Sequence, residues 1–188
     1  MERFVKIDID MYTVSYQGPF GFIKPWTAVR DELTFSQQFL TPSIIEGMRQ
    51  KLQVDEILRH KLSFIKFSKQ QEQTRPKLIK KWGSGFSIIE RGLMIEPVLT
   101  LAFKSKEDAQ KALEQHLCLC RNEDIILPDG ERGIEKMSTE EFDDIRGFEL
   151  KFTGSDEGFI VGYNRFEDNE PMYGNLEITG TAIKNEAL

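Results

Sequence analysis

Two aspartates on one short stretch, Asp8 and Asp10, are the first residues whose type and spacing suggest chemistry. On a strand such a pair points to one side and can hold two metal ions for nucleotidyl transfer, provided a second acidic cluster stands nearby. Around Phe86–Leu93 only Glu90 is on offer, so the pair reads as exposed strand acids, and no metal or other cofactor is expected. His60 and His116 are the only histidines. His60 lies in a basic stretch where it could meet a phosphate. Paired with Tyr12 or Tyr16 it could supply general acid–base cleavage of RNA through the 2′-hydroxyl. His116 is expected to pack or cap near a helix end. Cys118 and Cys120, two apart in LCLC, make a poor disulfide and an incomplete metal site, and read as two small buried thiols. No nucleophile elbow, phosphate-binding loop or dinucleotide fingerprint occurs. Catalysis is therefore not the expected role.

The basic residues say more. From Arg49 to Lys81 ten cations face three acids, a local charge of +7 in a chain of net charge −6, so the remainder carries −13. Lys66 and Lys69 flank a strand end, while Arg75, Lys77, Lys80 and Lys81 lie on or after a Gln-rich stretch. Trp82 then stands between those lysines and Gly83-Ser84-Gly85. Lysines neutralise phosphates, an indole stacks on an unpaired base, and glycines let backbone approach closely. Lys24, Trp26 and Arg30 combine cation and aromatic in one early loop, with core packing as the other reading for Trp26.

The elements that must position these residues follow from periodicity. Residues 3–12 alternate as a half-buried strand. A long aromatic segment, 17–39, reads as an ordered loop or short hairpin. A helix begins at TPSIIEGMRQKL, with Ser43 and Glu46 spaced as a capping box, and Asp55–His60 continues it or adds a second one. Leu62–Phe67 reads as a strand, SKQQEQTRPK as a polar loop, and 87–91 and 94–103 as strands joined by a turn at Gly92. Ser105 caps a helix running through Leu117, and 117–120 is another strand. That order predicts an α+β, ferredoxin-like (RRM-type) βαββαβ domain over 1–127, with a basic loop insertion at about 68–86. Residues 128–188 are expected to add a small acidic antiparallel β appendage packed on the same domain. With 39% hydrophobic residues and 14 Phe the chain can build a core unaided. No run approaches the roughly 20 apolar residues that span a bilayer. MERFVKIDID lacks the pattern of a signal peptide, so a cytoplasmic protein without a membrane partner is expected.

Several motifs occur in a familiar order: Gly18-Pro19-Phe20, Phe22, Lys24-Pro25, Pro42-Ser43-Ile44 with Gly47, and later LCLCRNED with Arg121, Glu123 and Asp124. In these, over about the first 125 residues, the chain resembles the fifth family of CRISPR-associated proteins (Cas-five), part of the RAMP superfamily with RRM-like folds. The resemblance implies a noncatalytic subunit of a Cascade-like surveillance complex. It would bind the 5′ handle of crRNA, cap the backbone filament, touch neighbouring backbone and large subunits, and meet target DNA only indirectly. The RNA would be held by Lys24, Trp26, Arg30, Arg49, Lys66, Lys69, Arg75, Lys77, Lys80, Lys81, Trp82 and Arg121. Two alternatives stand beside it: a metal-independent endoribonuclease that processes precursor crRNA, and a protein-interaction module without RNA.

Overall fold

The computed structural model describes residues 10–27, 33–73, 77–79, 83–85, 88–119, 121–155 and 157–183, the side chains of 77–79 and 83–85 excepted. Its strands are β1 (Met11–Gln17), β2 (Phe20–Gly21), β3 (Leu33–Phe35), β4 (Arg59–Ser63), β5 (Lys66–Gln73), β6 (Lys77–Ile79), β7 (Gly83–Gly85), β8 (Ile88–Ile95), β9 (Val98–Phe103), β10 (Leu117–Cys118), β11 (Ile125–Pro128), β12 (Ile134–Met137), β13 (Gly147–Thr153), β14 (Phe159–Asn164) and β15 (Glu170–Thr179). Three helices accompany them: α1 (Pro42–Leu52), α2 (Lys106–Leu113) and α3 (Thr139–Asp144).

Nine strands make one antiparallel sheet, in the order β10-β11-β1-β9-β4-β13-β15-β14, with β12 joining β11 along the same edge of β1. Strand alternation gives this sheet two unlike faces. Val14, Tyr16, Leu62, Leu99, Leu101 and Phe103 turn to one face and pack with Ile45, Met48 and Leu52 of α1 and with Ala109 and Ala112 of α2. Each large side chain so buried contributes about 1.5–3 kcal/mol. Tyr16 also donates its hydroxyl to the Ala112 carbonyl at 2.6 Å, so β1 is fixed to α2 by a directional bond as well as by area. On the opposite face α3 covers only one end, where Phe142 packs with Met11 and Ala102. The rest of that face is polar.

The compact ferredoxin-like βαββαβ domain expected from the sequence is not what the chain forms. It is mostly β, built on a nine-stranded sheet, with a second four-stranded sheet of β5, β8, β2 and β3 beside it. The physical reason lies in the last third. Its strands are no acidic appendage: β13 pairs with β4, β15 and β14 extend the sheet from there, and β11 and β12 flank β1. Local periodicity finds a strand without telling which edge it joins.

Smaller expectations change as well. Residues 3–9 of the strand expected at 3–12 lie outside the described residues, and a strand runs over Met11–Gln17. Ser43 does not cap α1. Thr41 is the N-cap, Pro42 takes the first turn, and Glu46 turns instead to Arg49 and Gln50. Asp55–Leu58 is not helical. Gly92 sits inside β8, and the turn falls at Glu96, whose φ is 49°. Ser105 caps α2 by accepting from the Asp108 amide at 3.1 Å, although the helix ends at Leu113. α3 was not foreseen, despite a full capping box between Ser138 and Glu141.

Candidate nucleic-acid interface

The stretch expected to be a polar basic loop is a β-ribbon. β5 and β8 pair antiparallel without a break from Lys66 opposite Ile95 to Gln73 opposite Ile88, and β6 and β7 pair beyond them. β6 and β7 are joined in sequence by Lys80-Lys81-Trp82, which lie outside the described residues, as do Arg75 and Arg30. Lys77 belongs to β6 by its backbone. Residues 66–95 of the sequence hold seven cations (Lys66, Lys69, Arg75, Lys77, Lys80, Lys81, Arg91) against Glu72 and Glu90, and of the cations the side chains of Lys66, Lys69 and Arg91 are described. At its base Phe67 is anchored between Phe64, at 4.7 Å between ring centroids, and Phe35, at 5.4 Å.

Strand geometry separates the two described lysines of β5. Lys66 and Lys69 are both exposed, yet an odd spacing puts them on opposite faces of the ribbon. Lys66 shares its face with Ser68, Gln70 and Glu72, and Lys69 shares the other with Gln71 and Gln73. The β5 edge not paired with β8 has no strand beside it among the described residues.

Arg121 is committed to the root of the ribbon. Its Nε and Nη2 donate to the two carboxylate oxygens of Asp124, each at 2.7 Å, and its Nη1 donates to Glu72 of β5. Arg91 of β8 reaches the same Glu72 at 3.6 Å, and both guanidinium groups lie over the Phe22 ring, at 5.2 and 5.6 Å. Asp124 is fully buried. Its hydrogen bond raises the Arg121 pKa still further above the ordinary range, so the cation is permanent. Arg121 therefore ties Asp124 to β5 through Glu72, which Arg91 of β8 also reaches, rather than offering a free charge.

Arg49 is spent in the same manner. It donates twice to Glu46, at 2.7 and 2.8 Å, and once to the Val54 carbonyl, which fastens the end of α1. Those bonds from Arg49 and Gln50 hold the Glu46 carboxyl down to about 2. Within the basic run Arg59 and Lys61 are also neutralised internally. Arg59 pairs with Glu149 at 2.6 Å and Asp143 at 2.7 Å, and the buried Lys61 donates to the Thr179 hydroxyl at 2.7 Å. Two of the ten cations counted along the sequence, Arg59 and Lys61, thus meet acids of the last third, and Arg49 meets Glu46 of its own helix.

A groove of about 410 Å³ opens beside the ribbon root. Ser43, Ile44 and Gly47 of α1 form one wall, Cys118 and Leu119 another, and Lys51 and Arg165 bring cations to it. Leu119 also abuts Gly21, where an added Cβ would come within 2.3 Å of its Cδ1, so Leu119 lines the groove and packs on the β2–β8 sheet at once. Sequence reasoning missed Arg165, which sits in an acidic turn between β14 and β15. Its only signal was Gly47, whose open side Arg165 approaches: a Cβ there would stand 3.3 Å from its Nη2.

The remaining expected residues lie apart. Trp26 is 47% exposed and packs edge-on against Tyr163 at 5.8 Å, so it is not core. Lys24 is exposed. His60 lies beneath a pocket lined also by Arg59, Glu149 and Phe152. It is 3% exposed, its Nε2 accepts from the Leu150 amide at 3.3 Å, and burial lowers its pKa to about 3. Tyr16 is fully buried and Tyr12 half-buried, which leaves the expected acid–base pair without a substrate-facing surface. His116 is exposed. Asp10 pairs with Lys136 at 2.5 Å, and no group of three or more metal-ligating side chains occurs among the described residues. Cys118 is half-buried and free, and Cys120 lies outside the described residues. No helix of the described residues is long and apolar enough to cross a membrane. The chain matches no protein-family model and no curated protein sequence.

Proposed function

We propose that this chain is a noncatalytic, cytoplasmic subunit of a CRISPR RNA-guided surveillance complex that grips the 5′ handle of crRNA and caps the backbone filament. Its partners are then the handle, the adjoining backbone and large subunits, and target DNA only through the assembly. The observation that carries the reading is the β5–β8 ribbon. In sequence, residues 66–95 hold seven cations against two acids within a chain of net charge −6, and on the described part of the ribbon Lys66 and Lys69 stand exposed. Such a distribution favours contact with a short polyanion at one place and with protein elsewhere. The Pro42-Ser43-Ile44 and Gly47 motif adds to it, because Ser43, Ile44 and Gly47 line a groove that already carries Lys51 and Arg165.

The endoribonuclease reading needs His60 at a surface, and a neutral, buried imidazole already accepting a backbone hydrogen bond gives it no support. To test the proposal, the tagged chain is recovered from its host and the bound RNA sequenced. Reads with one common 5′ segment and variable spacers are expected, together with co-purified subunits. Charge reversal of Lys80 and Lys81 should then abolish handle binding, and Trp82→Ala should cost about 1–3 kcal/mol if its indole stacks on a base. Recovery of the chain without RNA, or unchanged affinity after charge reversal, overturns it in favour of an interaction module.

A further inference from the structure

The polar face of the large sheet holds a partly enclosed cavity of about 270 Å³. Its floor is set by register. Ser15 of β1 stands directly opposite Thr100 of β9, with their hydroxyls 2.9 Å apart, and Thr100 stands opposite Lys61 of β4. One row further along, Ser63 of β4 faces Val98, and its hydroxyl has no partner among the described residues. Three adjacent strands thus place small hydroxyl side chains where a half-covered sheet ordinarily places either apolar residues or long charged ones.

Two connections wall the cavity. The turn between β11 and β12 enters from one side, pinned by the Asp129 amide donating to the Ser15 carbonyl at 2.8 Å, and brings Asp129 and Arg132. The link from α3 to β13 enters from the other side with Ile145 and Arg146. Arg146 is placed by its neighbour. Gly147 has φ 148°, and a Cβ there would meet the Leu62 carbonyl oxygen at 2.9 Å, so only glycine lets β13 start so close to β4. Arg132 is held only loosely by Asp129, at 3.7 Å, and Arg146 has no ion-pair partner among the described residues. The Lys61 ammonium is already bound to Thr179 and lies 3.6 Å from Glu149, so it stiffens the floor without supplying the free charge.

We propose that this cavity binds a phosphorylated sugar, a ribose phosphate unit either free or at the end of an RNA. The two arginines present planar forks suited to a phosphate monoester. Asp129 and the floor hydroxyls supply the acceptors and donors that a sugar's hydroxyl groups need in a partly enclosed site. The volume lies just below the usual range for small-molecule sites, so a single sugar phosphate fits the space and a stacked base does not. This inference does not rest on the ribbon or on the CRISPR reading.

The test is titration of the full chain with ribose 5-phosphate, ribose and inorganic phosphate, followed by calorimetry and by amide chemical shifts of residues 129–133 and 145–147. Ribose 5-phosphate should bind, ribose alone at least 10-fold more weakly, and Arg146→Gln should weaken ribose 5-phosphate by 10-fold or more. Ser63→Ala, which preserves the fold, should weaken it several-fold, while Lys66→Glu should leave it unchanged. A 5′-phosphorylated oligoribonucleotide that competes with the sugar phosphate names an RNA end as the source, and failure to compete names a free metabolite. Absence of ribose 5-phosphate binding at millimolar concentration overturns the proposal, as does binding that Arg146→Gln and Ser63→Ala leave untouched.

Discussion

His60→Gln, followed across pH, measures how completely the sheet encloses the imidazole. In the folded chain burial lowers the His60 pKa to about 3, and the neighbouring Arg59 and Lys61 charges on β4 add to the shift. In the unfolded chain the ordinary value near 6.5 applies. Between those values the unfolded chain takes up a proton that the folded chain refuses. Stability is therefore complete above pH 6.5 and falls as the pH drops from there toward 3. At pH 5, about 1.5 units below the unfolded value, the loss is about 2 kcal/mol relative to pH 8. Glutamine is neutral throughout, and its carbonyl oxygen can accept the Leu150 amide in place of Nε2. The variant should therefore lose about 2 kcal/mol less than the natural chain between pH 8 and pH 5. Urea unfolding followed by circular dichroism at several pH values reads this difference, with an unchanged denaturant slope certifying the same transition. Other titrating groups are common to both chains and cancel. Equal pH dependence in the two chains would refute the reasoning and return His60 to a solvated, chemically available position.

Other perturbations probe the ribbon and its supports. Arg121→Ala should destabilise by about 3 kcal/mol, because it leaves the buried Asp124 carboxylate without its cation. The same change should speed amide exchange along 66–73 and 88–95 more than in β1 or β9, and uniform acceleration would deny that Arg121 anchors the ribbon. Glu149→Leu should cost about 3 kcal/mol by removing the carboxylate beside the buried Lys61 while Arg59 keeps Asp143, and adding Lys61→Met should recover part of that loss in thermal unfolding. Strict additivity of the two changes would mean that the ion pair carries no coupling. Lys66→Glu with Lys69→Glu should weaken RNA binding about 10-fold and flatten its dependence on salt by roughly two counterions. An unaltered salt slope would place the phosphate track elsewhere.

Much of the secondary structure could be read from the sequence. The α2 cap at Ser105, a helix opening within TPSIIEGMRQKL and the strand over 98–103 all depend on interactions within a few residues. Capping preference and period-two alternation act at that range, so the chain carries them locally. The misreadings share one cause. The Gln-rich stretch 68–73 looks like a loop because its side chains are polar on both sides, and it becomes a strand only because β8 supplies the partner backbone. The capping box at Ser138–Glu141 was legible in the sequence as Ser-x-x-Glu, yet turn-rich surroundings hid it.

Composition and order alone determined that the chain carries a concentrated basic segment within an acidic whole. Tertiary structure decided which charges remain available. Arg49, Arg59, Lys61 and Arg121 find carboxylates that lie from three to ninety residues away, whereas Lys51, Lys66 and Lys69 stay exposed. It also decided that His60 is neutral and that Ser15, Ser63 and Thr100 from three separate strands meet at one cavity. Ion pairing, desolvation and strand register all depend on distances between residues remote in the chain, and those distances exist only once the sheet has closed.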